Sequence, residues 1–71
     1  METVTCRESF NHRAITVEAW RPGPGWGWGY TAKICLPDGT RLPPIKDFES
    51  CFASAEQALA AGRKCAEKHC S

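Results

Sequence analysis

Ser54-Ala55-Glu56-Gln57-Ala58-Leu59-Ala60-Ala61-Gly62-Arg63-Lys64-Cys65-Ala66-Glu67-Lys68-His69 is the stretch that decides the fold. It contains no proline and a single glycine. Ser54 with Gln57 three residues on is a capping box, so a helix is expected over residues 55–69. At helical spacing Cys65, Ala58, His69, Gly62, Ala55, Ala66, Leu59 and Cys70 share one arc of roughly 140°, with Glu56, Gln57, Lys64, Glu67 and Lys68 opposite. Arg63 and Glu67 stand four apart as an intrahelical ion pair. Lys64, Lys68 and His69 suit the negative end of the helix dipole. The apolar arc is made mostly of alanine, glycine and cysteine. A helix with so small a face reaches native packing density only if its partner supplies the bulk, which points to a sheet carrying large side chains.

The bulk lies upstream. Ile15, Val17 and Ala19 alternate with Thr16, Glu18 and Trp20, the period of a half-buried strand, and Arg21-Pro22 ends it. Residues 22–29 are too rich in glycine and proline for a regular element and read as a hairpin loop. A second strand follows over residues 30–36. Trp28, Tyr30, Ala32, Ile34 and Leu36 share one of its faces and Thr31, Lys33 and Cys35 the other. Asp38-Gly39 marks a tight turn. A third strand is expected at residues 41–45, placed at an edge or broken by a bulge because of Pro43-Pro44 and continuing into residues 46–52, with Phe48 and Phe52 as buried anchors. Residues 1–11 are weakly patterned; Thr3-Val4-Thr5-Cys6 reads either as a short strand or as a loose lead-in.

The expectation is therefore one α+β domain over residues 1–71. Residues 1–11 form a lead-in, 12–52 a three-stranded antiparallel β-meander, and 54–69 one C-terminal α-helix covering one face (βββα). At 71 residues a lone core supplies little net stability, so staples or self-association are the usual supplements. Five cysteines look like staples, but the count is odd, no basic-then-apolar leader opens the chain, and the spacing matches no common disulfide framework. Cys6, Cys35, Cys51, Cys65 and Cys70 are expected to be reduced and unmetallated, and the location cytoplasmic. No apolar run reaches the length of a membrane span. Lys plus Arg is 9 against 8 Asp plus Glu, a net charge of +1, which lacks the basic excess typical of nucleic-acid binders.

Tyr30-Thr31-Ala32-Lys33-Ile34 followed by Phe52-Ala53-Ser54-Ala55-Glu56-Gln57-Ala58 resembles small uncharacterised bacterial βββα domain proteins. Gly39, Pro43, Phe52, Ser54, Ala58 and Gly62 sit where their pattern places such residues. The layout is also similar to AP2-type and integrase-arm DNA-binding domains, whose three-stranded sheet enters the major groove, and to HicB-like antitoxins. The first of these implies a DNA-facing sheet surface, here holding Arg13 or Thr16, Trp20, Lys33 and Arg41, with Glu18 among them.

Signals for catalysis are thin. No Gly-x-Ser-x-Gly, phosphate loop or His-Glu-x-x-His is present. Cys65 and His69 lie one helical turn apart, the spacing of a nucleophile–base pair or of two zinc ligands. A zinc site would take its remaining ligands from Cys70, Cys51, Cys35 or Cys6, and no Cys-x-x-Cys knuckle supplies them. The adopted reading is a small half-buried cysteine beside a helix-end histidine, with no catalytic residue, metal or cofactor. Trp26 and Trp28, flanked by glycines, are either stacking platforms or core; alternation sends Trp28 inward and leaves Trp26 open.

The leading functional expectation is a non-catalytic interaction module that binds a protein partner or itself as a homodimer. The alternative is weak nucleic-acid binding, DNA included, through the sheet face away from the helix. The candidate surface is Trp20, Trp26, Lys33 and Arg41. A contiguous positive face favours the alternative, and a mixed one the interaction module.

Overall fold

The computed structural model describes residues 1–70, the side chain of Cys70 excepted. Four strands precede the helix: β1 (Glu2–Phe10), β2 (Arg13–Arg21), β3 (Trp28–Cys35), β4 (Ile45–Phe52) and α1 (Ala55–Cys70). They form one sheet in the order β1-β2-β3-β4, every neighbouring pair antiparallel. The α+β class and the single covering helix stand, but the meander has four strands where three were expected.

The added strand is the supposed lead-in. Asn11 and His12 both take positive φ, 51° and 63°, and close a two-residue turn between the paired Phe10 and Arg13. Two consecutive left-handed residues match the twist of a hairpin, and asparagine tolerates that conformation better than most. β1 then pairs with β2 over all nine residues without a register shift. Its helix-side positions are Val4, Cys6, Glu8 and Phe10, opposite Ala19, Val17, Ile15 and Arg13. A carboxylate in that series hides the apolar alternation.

The core is formed by Ile15, Val17 and Ala19 of β2, Trp28, Tyr30, Ala32 and Ile34 of β3, and Ala58 and Ala66 of α1. The bulk comes from the sheet and the small face from the helix. Gly62 is the point of closest approach: a Cβ there would lie 2.6 Å from Val17 Cγ1 and 2.9 Å from Tyr30 Cδ1. The helix begins as a capping box. The Gln57 amide donates to Ser54 Oγ at 3.2 Å, and Gln57 Oε1 accepts from the Ala53 amide at 3.2 Å. Two expectations for the helix change. His69 is exposed, its ring Nδ1 donating to the Cys65 carbonyl at 3.0 Å. Arg63 reaches across to Glu8 Oε2 at 3.8 Å instead of pairing with Glu67. The placement of Cys70 on the buried arc lies outside the described side chains.

β3 leaves through the Asp38-Gly39 turn. Gly39 has φ 92°, the Leu36 amide donates to the Thr40 carbonyl at 2.8 Å, and Asp38 Oδ1 accepts from the Thr40 amide at 2.9 Å. Residues 41–44 do not form the next strand, whereas the expected edge position and the stretch over residues 46–52 stand. Arg41 makes one bridge to Cys35 and the Leu42 amide donates to the Ile34 carbonyl at 3.0 Å; Pro43-Pro44 then interrupt the ladder. The strand proper is β4, in which Ile45, Lys46 and Asp47 face Ala32, Thr31 and Tyr30. Past Asp47 it bulges before Phe52 meets Trp28.

Candidate functional site

Strand parity separates the two faces of the sheet. Away from the helix point Thr3, Thr5, Arg7 and Ser9 of β1; Ala14, Thr16, Glu18 and Trp20 of β2; Gly29, Thr31, Lys33 and Cys35 of β3; and Lys46 of β4. Arg41 joins them through its bridge to Cys35. The cross-strand rows are Arg7–Thr16–Lys33 and Thr5–Glu18–Thr31–Lys46. Four cations thus share this face with one carboxylate. The whole chain carries a net charge of only +1, so its acidic surplus lies elsewhere.

The four cations are not spent on carboxylates. The ion pairs Arg21–Glu2 and Arg63–Glu8 take their members from the helix-side series or from the helix. Arg21 also lies over the Trp28 ring, 4.8 Å from its centroid. Lys33 and Arg41 border an open depression of about 520 Å³ together with Ala14, Thr16, Cys35 and Pro44. Its rim is cationic; Ala14, Thr16 and Cys35 are small and leave room above the sheet, and Ile34 and Leu42 complete the lining.

At the other end of the face an aromatic pair stands on a glycine. Trp20 lies opposite Gly29, and the Phe48 ring packs on Trp20 with centroids 4.9 Å apart and planes at 60°. A Cβ on Gly29 would collide with the Phe48 ring and sit 2.9 Å from the Asp47 carbonyl oxygen, so only glycine fits beneath the pair. Alternation from Lys46 puts Phe48 there, opposite Gly29, and the β4 bulge follows it. Asp47 Oδ1 accepts from the amides of Glu49 and Ser50 at 3.1 and 3.0 Å, and Asp47 Oδ2 accepts from Ser50 Oγ at 2.8 Å. These bonds, Ser50 foremost, hold the Asp47 carboxyl below its ordinary range. Cys51 closes the bulge at φ 50°. Gly27 accommodates that turn, since its Cβ would lie 2.7 Å from Cys51 Cβ.

The site expected from sequence is partly assembled. Trp20, Lys33 and Arg41 share the open face. Trp26 is separate from it, at the tip of the β2–β3 loop, where its amide donates to the Gly23 carbonyl at 3.2 Å and the residue is 65% exposed. Trp28 is buried in the core. Thr16 lies on the open face, whereas Arg13 follows the helix-side series. Arg7, Lys46 and Phe48 were missed. Arg7 and Lys46 belong to strands whose limits the sequence blurred. Phe48, expected to be a buried anchor, is 44% exposed because alternation from Lys46 sets it on the open face; the bulge then turns Phe52 to the helix side opposite Trp28, where it keeps the anchoring role, 6.0 Å from the Tyr30 ring.

The four described thiols do not gather. Cys6 is on the helix side of β1, Cys35 on the open face, Cys51 in the bulge and Cys65 on α1, and no three metal-ligating side chains cluster among the described residues. The Tyr30 hydroxyl is pushed up to about 12, by burial first and then by Cys65. Among the described residues no helix is long and apolar enough to cross a membrane. Comparison with protein-family models, curated proteins and solved structures found no match, so the fold and site rest on the chain's own geometry.

Proposed function

We propose that the protein is a non-catalytic binding domain that takes nucleic acid on the open face of its sheet. The observation that carries this reading is the segregation of charge. Arg7, Lys33, Arg41 and Lys46, unpaired among the described residues, lie on one face with Glu18 the single carboxylate at its paired positions, beside the aromatic pair of half-buried Trp20 and exposed Phe48. A face made for an ordinary protein partner has less reason to concentrate one sign of charge. Phosphates would sit against Lys33 and Arg41 at the depression and against Lys46 and Arg7 further along the sheet. The Trp20–Phe48 pair offers a surface on which an unpaired base stacks, so single strands should bind more tightly than duplex. The contacts are few and no side chain is braced to read a base edge. Affinity should be modest and independent of sequence, with dissociation constants of about 10⁻⁴–10⁻⁶ M at physiological salt. The expectation of a protein partner loses its lead on this argument, and the nucleic-acid alternative takes its place.

Fluorescence anisotropy with a labelled mixed-sequence oligonucleotide at low salt tests the reading. Binding is expected for the wild type, is lost in the Lys33→Glu, Arg41→Glu double variant, and is weakened several-fold by Trp20→Ala. No binding by the wild type, or binding that survives the double charge reversal, would overturn it.

A further inference from the structure

The two edges of the sheet differ in a way that bears on assembly. The β4 edge is obstructed: Pro43 and Pro44 precede it, and the bulge after Asp47 turns the amides of Glu49 and Ser50 onto a carboxylate. Sheets commonly protect their edges by such means. β1 has neither proline nor bulge, and its inward-facing Glu8 is the device it does carry. The strand is nine residues long, pairs with β2 in unbroken register, and contains no proline, glycine or lysine. Among the described residues no strand lies on its outer side. The helix sits over Val17 and Tyr30 and leaves Val4 of β1 41% exposed.

We infer that β1 pairs antiparallel with β1 of a second copy, about a two-fold axis perpendicular to the sheet. Such an axis keeps both helices on one side and allows only registers centred on a residue. Centred on Thr5, the pairing sets Glu2 opposite Glu8 of the second copy. Centred on Arg7, it sets the two Arg7 side chains face to face. Like charges directly opposite destabilise a strand pair. Centred on Cys6, it sets Glu2 opposite Phe10, Thr3 opposite Ser9, Val4 opposite Glu8 and Thr5 opposite Arg7. That register uses all nine residues and opposes no like charges, so the strand is self-complementary in its one full-length arrangement. The interface is a single strand pair, at the small end of specific interfaces (below about 1,200 Å²), so the dimer is weak and concentration-dependent. It stands independently of the nucleic-acid reading; where that reading holds, both open faces lie on one side of an eight-stranded sheet and the cationic surface doubles.

Sedimentation equilibrium without nucleic acid, over a range of protein concentrations, tests this. The wild type is expected to show a reversible monomer–dimer equilibrium. Thr5→Arg puts arginine opposite Arg7 at two symmetric places and should raise the dimer dissociation constant about tenfold; Thr5→Glu should lower it by a similar factor. Within one chain Thr5 faces Glu18. The arginine therefore favours the fold and the glutamate disfavours it, so altered folding cannot mimic the result. Cys6 provides a second readout. Directly opposed residues have Cα atoms about 4.5–5.5 Å apart, within the range a disulfide spans. Diamide, which takes up the two electrons and two protons released by two thiols, should give a covalent dimer. That dimer should be lost in Cys6→Ser and kept in Cys51→Ser. A chain that stays monomeric at every concentration, a dimer indifferent to charge at position 5, or diamide coupling through a cysteine other than Cys6 would each overturn the inference.

Discussion

Glu8 is a charged side chain on the helix side of β1, half-buried beside α1. Its Oε1 is shielded from solvent and finds no donor, while Oε2 lies 3.8 Å from the Arg63 guanidinium. Loss of hydration is the largest influence on its carboxyl and raises it above the ordinary range. The neighbouring Glu67 raises it further, because a shared proton relieves the repulsion of two carboxylates, and Arg63 opposes both. The folded chain therefore holds this proton more tightly than the unfolded one. The resulting stability is fully present below the ordinary carboxylate pKa and is lost as pH rises through the raised value. Glu8→Gln should accordingly raise the unfolding free energy at pH 7, by about 1 kcal/mol or less, since relief of an unsatisfied buried oxygen is offset by loss of a half-exposed ion pair. Below pH 4 the advantage should vanish. Denaturant melts at the two pH values check this; a variant no more stable at pH 7 than at pH 4, relative to wild type, contradicts it.

The helix and the bulge show how an element's role is fixed by a neighbour's size. Alanine favours a helix over glycine by about 1 kcal/mol, yet a methyl at Gly62 would meet Val17 and Tyr30 inside contact distance. Overpacking costs about 1–3 kcal/mol, so Gly62→Ala should be destabilising on balance and Gly62→Leu more so. Chemical denaturation measures both; a stabilised Gly62→Ala would mean that the helix stands further from the sheet than described. The face of α1 could be read from the chain because Ala58, Gly62 and Ala66 recur at helical spacing, and the β2–β3 core could be read because Val17 and Tyr30 lie in unbroken alternation. β1 escaped because Glu8 interrupts its apolar series and because Asn11-His12 lacks the glycine that usually signals so tight a turn. The true extent of β4 escaped because Pro43-Pro44 draw attention to the wrong residues. Phe48 and Phe52 take opposite faces because the bulge capped by Asp47 lies between them, and Gly29 makes room for Phe48, which only the packed sheet reveals.

At the scale of the whole molecule, a chain near electrical neutrality sorts its charges by face, which the net charge alone does not show. Of the candidate surface, Trp20, Lys33 and Arg41 were legible from strand parity. Arg7 and Lys46 were not, because each lies on a strand that parity could not yet number. The central claim is that these cations meet phosphates, and the salt dependence of single-strand binding tests it most directly. Each phosphate neutralised contributes about −0.7 to the slope of log affinity against log salt. Engagement of all four cations predicts a slope of about −3 for the wild type. The Lys33→Ala, Arg41→Ala double variant should fall to about half of that. A wild-type slope near zero, or one unchanged in the double variant, would contradict the account.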